Sequence, residues 1–151
     1  MESAIKRRCG LMTPTKIRLR SVSRLGKLIL AGIGGALGSI LRYSVSGIVQ
    51  DFSKSITFPY GTLAVNLIGC LAIGFLSQLA ESRGYFTAET RTLVFVGVLG
   101  GFTTFSAFGN ETMNLWREGE SGLAALNIAA HLVLCLGAVW LSRSVAFQIW
   151  R

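Results

Sequence analysis

Apolar residues along this chain gather into four long runs joined by short polar connections: Leu28–Val49, Gly61–Ala80, Thr92–Trp116 and Gly122–Phe147. The hydrocarbon core of a bilayer is about 30 Å thick and takes roughly 20 helical residues to cross, so each run is long enough to span it. Helices buried in a water-soluble protein carry charged faces beside their apolar stripes. Here charge is concentrated between the runs instead. The pattern predicts an all-α integral membrane protein of four transmembrane helices over residues 28–147, with little chain left for a soluble domain. A composition of 51% hydrophobic and 15% charged residues agrees.

The net charge of +8 raises the question of nucleic acid, but eight of the fifteen Lys and Arg residues precede residue 28: Lys6, Arg7, Arg8, Lys16, Arg18, Arg20, Arg24 and Lys27. That is the pattern of a basic juxtamembrane segment. Residues 1–27 are expected to form a disordered cytosolic tail. Their single acid, Glu2, leaves an organelle transit peptide as the other reading, whereas the full span length of the first apolar run does not fit a cleaved secretory signal. Cys9, Cys70 and Cys135 show no CxxC or Cys/His spacing, and an odd count without a framework argues against structural disulfides. Cys70 and Cys135 read as small, soft packing residues.

Several polar or small residues inside the spans are candidates for chemistry. Gly34, Gly35 and Gly38 offer a flat helix face for close approach by another helix, and Arg42-Tyr43 at the end of the first span is either a snorkelling anchor or an attractor of anions. Asn66, Cys70 and Gly74, spaced four apart, share a face that suits protein or a water-filled pore. Asn66 is therefore either interhelical glue or a ligand for a passing ion. In the third span, Gly100-Gly101-Phe102-Thr103-Thr104 predicts a helix broken near mid-membrane, with freed backbone groups that protein, water or an ion must satisfy. Packing of a Gly97-x-x-x-Gly101 face is the plainer alternative.

Phe105 and Phe108 fall on one face beside Thr104 and Ser106. A phenyl ring has a positive edge, so ring edges and hydroxyl donors together can cradle an anion, although phenylalanines facing lipid or core need no such role. Asn127 and His131 share a face of the fourth span. His131 is the sole histidine, with no second ligand at zinc spacing. No nucleophile–base pair, paired catalytic carboxylates, HExxH or phosphate loop is present, which speaks against an enzyme.

Four strings resemble the Fluc/CrcB family of fluoride ion channels. They are Gly34-Gly35-Ala36-Leu37-Gly38-Ser39-Ile40-Leu41-Arg42-Tyr43, Gly61-Thr62-Leu63-Ala64-Val65-Asn66-Leu67-Ile68-Gly69, the third-span string Gly100 to Phe108 followed by Glu111, and Ala138-Val139-Trp140-Leu141. The third is the most specific. The resemblance implies an antiparallel dimer with two fluoride pathways, passive fluoride efflux that protects the cell, and a central structural sodium ion. It implies that Asn66, Phe105 and Phe108 line the pathway with Thr104, Ser106, Glu111 and His131 nearby, and that Arg42 sits at a vestibule. The carbonyls of Gly100 and Thr103 are implied to meet their symmetry mates around sodium. Two departures from the family pattern touch the polar lining: His131 stands where a small polar residue is usual, and Ala107 where Thr is common.

A small four-helix multidrug-type exporter coupled to protons is the rival function. It requires a carboxylate deep in a helix, and the carboxylate within these spans is Glu111, past the break. An accessory subunit that transports nothing is a third reading. With four spans, the tail, the second loop and the C-terminus share one side, which holds twelve of the fifteen basic residues and leaves Arg42, Lys54 and Arg117 to the other. The positive-inside rule then places both termini in the cytosol of a cell (inner) membrane. So strong a bias favours one main orientation, with pairing to a related, oppositely oriented subunit; dual insertion giving an antiparallel homodimer is the alternative.

Overall fold

The computed structural model describes residues 23–84 and 86–150. The basic tail read at residues 1–27 thus lies mostly outside the described residues.

Each apolar run is helical, the third with a break, and the helices extend past the apolar limits by one to four residues. Helix α1 spans Arg24–Ser53 and begins where Ser23 Oγ accepts from Gly26 N–H at 3.2 Å, a Ser cap of the usual kind. It ends at Lys54, whose φ of 52° gives the left-handed turn that stops a helix. The connection to α2 (Tyr60–Arg83) is organised by Gln50, whose Nε2 donates to the carbonyls of Ser55 and Phe58 while its Oε1 accepts from Gly61 N–H at 3.0 Å.

The third span is α3, made of the contiguous pieces Ala88–Arg91, Thr92–Leu99 and Gly100–Phe102, followed after a break by α4 (Phe105–Arg117). The fourth, α5, covers Ser121–Ile149. Thr92–Leu99 and His131–Cys135 are wound with wide π-helical turns, a feature that recurs at functional sites.

All four spans are long and apolar enough to cross a membrane. Their burial is reversed relative to a soluble bundle. Thr62, Asn66, Thr104, Thr112, Asn127, His131 and Ser142 are buried, while Leu37, Ile40, Leu132, Leu136 and Trp140 face outward. Lipid is the solvent that accepts such a surface, and polar groups then point inward to find partners.

Helix α1 packs along α3, α2 packs along the second half of α5, and α1 also meets α2. The α1–α3 contact is made by glycine backbones. A methyl group at Gly34 would come within 2.5 Å of the Leu93 carbonyl, one at Gly97 within 2.8 Å of Gly34 Cα, and one at Gly101 within 2.5 Å of the Gly35 carbonyl. The two glycine faces expected from the sequence are therefore the two sides of one interface. Arg143 pairs with Glu81, which fastens the end of α5 to that of α2.

Candidate functional site

The break in the third span falls at Thr103 and Thr104, both extended (φ −84°, ψ 157° and φ −150°, ψ 113°). It does not fall at the glycine pair: Gly100 and Gly101 remain helical, and Gly101 is spent on contact with α1. The cause lies on α2. Asn66 Oδ1 accepts from Thr104 N–H at 2.8 Å, and Asn66 Nδ2 donates to the Thr104 carbonyl at 3.1 Å. One side-chain amide thus satisfies both backbone groups of a buried residue, as a neighbouring strand would. Beside it, a methyl group added at Gly69 would strike the Thr103 side chain.

Among the carbonyls that this break releases are those of Gly100 and Thr103. In an unbroken helix Gly100 C=O would receive Thr104 N–H, which goes to Asn66, and Thr103 C=O would receive Ala107 N–H, which goes to Thr104 Oγ1 at 3.1 Å. Gly100 is exposed on the subunit's surface. Among the described residues no three His, Cys, Asp or Glu side chains group as a metal cluster.

The restart of the helix has its own consequence. Thr104, itself buried, caps α4, a helix of 13 residues, so the positive end of the helix dipole adjoins a buried residue. A cavity of about 380 Å³ adjoins that end, and its wall includes Asn66, Thr104, Phe105, Phe108 and His131 together with Gly100 and Thr103. The Phe105 and Phe108 ring centroids are 5.4 Å apart, and those of Phe108 and His131 are 4.3 Å apart. Phe105 is 83% exposed, so its ring stands at the outer lip of the subunit.

Three residues expected at the site lie outside this wall. Ser106 is exposed and does not line it, although its Oγ is 3.2 Å from Thr104 Oγ1. Glu111 lies farther along α4, where its Oε1 accepts from the Thr62 hydroxyl at 2.6 Å and its buried Oε2 has no partner among the described residues. Arg42 is on α1 and half-buried, away from the cavity.

The structure also shows a relay that the sequence alone did not reveal. Asn127, fully buried on α5, donates to Thr112 Oγ1 at 2.9 Å, and the Thr112 hydroxyl donates to the Phe108 carbonyl at 2.7 Å. The Asn127 carbonyl meets His131 Nδ1 at 3.0 Å. The Phe108–His131 pair is thereby held from both ends. The four-residue spacing of Asn127 and His131 was the available signal, but their partner on α4 was not legible.

Residues 29–143 match the family described as CrcB-like protein, Camphor Resistance (CrcB). The chain belongs to that family. The fluoride-specific ion channel FluC of Methylobacillus flagellatus is 47% identical over 115 residues, which cover 76% of this chain and 90% of that protein. The fluoride-specific ion channel FluC of Opitutus terrae is 50% identical over 117 residues, covering 76% and 87%. The fluoride-specific ion channel FluC 1 of Methanosarcina acetivorans is 39% identical over 122 residues, covering 81% and 92%. The match begins inside α1 and ends near the close of α5, so it takes in every element that builds the CrcB-family cavity.

Proposed function

We propose that this chain is a subunit of a fluoride-selective channel that lets fluoride leave the cell passively and so limits its toxicity. The observation that carries the reading is the shared name of relatives matched over most of their length. The geometry supplies a physical rationale. Fluoride is small and strongly hydrated, and a pore must replace its water with closely spaced donors. The α4 N-terminus, the Thr104 hydroxyl with Ser106 Oγ beside it, and the phenyl edges of Phe105 and Phe108 are donors of that kind, without a fixed cation to trap the ion. An inside-negative potential drives an anion outward with about 2.3 kcal/mol per 100 mV. Flux through the pore needs no proton.

Purified protein in liposomes is expected to release fluoride at channel rates, to pass far less chloride, and to ignore an imposed proton gradient, as read with ion-selective electrodes. Equal fluoride and chloride flux, or strict coupling to protons, refutes the assignment and favours the exporter. Phe105→Ile and Phe108→Ile keep apolar bulk but lose the positive ring edge. Each is expected to slow fluoride at least about tenfold, equivalent to 1.4 kcal/mol at the barrier, with the protein still eluting as the parent does. Parental rates in both variants would assign the rings to packing.

The subunit is proposed to work as an antiparallel pair. Exposed Phe105 and the outward Gly100 backbone suit a partner surface, and the released carbonyls of Gly100 and Thr103, doubled by a partner, offer four hard oxygens to a sodium ion. Such an ion would tie the two breaks together as a structural element. The charge bias of the loops favours one main orientation, with termini in the cytosol and a related, oppositely oriented subunit as partner. Ile56, fully exposed in the α1–α2 connection, gives the test: Ile56→Cys in a background without other cysteines should label from outside intact cells and not from inside. Equal labelling from both faces, with fluoride flux from this chain alone, would establish dual insertion and a homodimer.

A further inference from the structure

Cys70 on α2 and Cys135 on α5 lie on helices that pack together and line the wall of one cavity. Both are free and half-buried, and both border the cavity that holds Phe108 and His131. Two sulfurs on one cavity wall, supplied by two packed helices, offer a pair of soft donors, which is more than the packing role their separate positions in the sequence suggest.

Soft sulfur donors select soft metal ions over magnesium, calcium or sodium. Coordination number narrows the choice. Structural zinc asks for four protein ligands, and no group of three His, Cys, Asp or Glu side chains gathers among the described residues. A metal content with two thiols must therefore accept linear, two-coordinate binding. Charge narrows it further. A monovalent ion between two thiolates leaves a net negative complex in an apolar wall, where an uncompensated charge is costly, whereas a divalent ion leaves a neutral one.

We propose that Cys70 and Cys135 form a two-thiolate site for a single mercuric ion at the cavity wall. Binding breaks two S–H bonds, forms two Hg–S bonds and releases two protons to water; no electron is transferred. His131 borders the same cavity, and its buried Nε2 has no partner among the described residues, so a nitrogen donor stands near the site without being needed as a ligand. The site is independent of the proposed transport function, because occupancy is read without any flux.

The test uses the full chain in detergent, with Cys9→Ser to remove the tail thiol, titrated with mercuric nitrate in chloride-free buffer. One mercuric ion per subunit is expected, with an ultraviolet thiolate-to-mercury charge-transfer band. The ion should resist an excess of monothiol and come off with a dithiol. Cys70→Ser, Cys135→Ser and the matching Ala variants should each lose that retention by about 100-fold, since the second sulfur acts as an intramolecular ligand of high effective concentration. The stoichiometry needs no variant: uptake of two ions per subunit by the Cys9→Ser protein shows thiols acting singly and overturns the proposal. Retention in the folded single-cysteine variants equal to that of the Cys9→Ser protein overturns it as well.

Discussion

Gly38→Ala is expected to abolish most of the folded subunit, although it adds a single methyl group. That methyl would overlap the Val98 carbonyl oxygen and sit 2.8 Å from Phe102 N and 3.0 Å from Val98 C. All three are backbone atoms of α3, held by the helix ladder, so none can rotate aside as a side chain would. Helix α1 must then move away from α3, and the Gly34–Gly97 and Gly35–Gly101 approaches open with it. Overpacking commonly costs about 1–3 kcal/mol, and a rigid backbone neighbour puts this site at or above the upper end. In a bilayer the loss is not softened by a hydrophobic drive for the helices to rejoin, because packing itself drives their association. Gly47→Ala is the control: beyond its own turn of helix, no atom of the described residues lies within 4 Å of its added methyl, and Ala in a helix is favoured over Gly by about 1 kcal/mol. Heating detergent-purified proteins and measuring the fraction that still elutes as a single peak compares the two. Equal survival of Gly38→Ala and Gly47→Ala would refute the close α1–α3 packing.

The spans were legible because lipid imposes a simple pattern of long apolar runs with charges at their ends. Their true limits were less so, since Ser23, Lys54 and the polar turns beyond each run are governed by caps and not by hydropathy. The glycines of α1 and α3 were each readable as a face for close contact. That the two faces meet is a tertiary fact, which spacing within one helix cannot carry.

The break in the third span was legible to within a few residues from Gly100-Gly101 and the two threonines. Its position at Thr103 and Thr104 is set by Asn66, 38 residues from Thr104 along the chain. Non-local hydrogen bonding also explains the uneven outcome at the candidate site. Asn66, Thr104, Phe105, Phe108 and His131 come together around one cavity, whereas Glu111 is drawn to Thr62 and Arg42 stays on a helix that does not reach the wall. That Cys70 and Cys135 share a cavity wall depends on how α2 lies against α5, and a reading of either residue alone gives only a small packing side chain.

Asn66→Leu is expected to remove fluoride transport and lower the melting temperature together, because the amide holds the break as well as bordering the cavity. Asn66 and Thr104 are each 8% exposed. Leucine matches the bulk of asparagine closely enough to keep the helix packed, but it leaves Thr104 N–H and C=O without partners. Each buried, unsatisfied group costs about 1–3 kcal/mol, or about 2–6 kcal/mol for the two. The cheapest relief is for Thr104 N–H to return to the Gly100 carbonyl, which lets the helix close across the gap. Closure would withdraw the Thr104 cap from Ala107, remove the α4 N-terminus from the cavity, and take back the carbonyls proposed for sodium. Asn66→Asp separates the two hydrogen bonds: a carboxylate still accepts from Thr104 N–H but cannot donate to its carbonyl. That variant should fall between parent and Asn66→Leu in stability, with transport nearer the latter because a fixed negative charge would border the anion's route. Melting followed in detergent and fluoride efflux from liposomes supply the two readouts. If Asn66→Leu melts with the parent and loses only transport, the amide serves the passing ion and does not set the break.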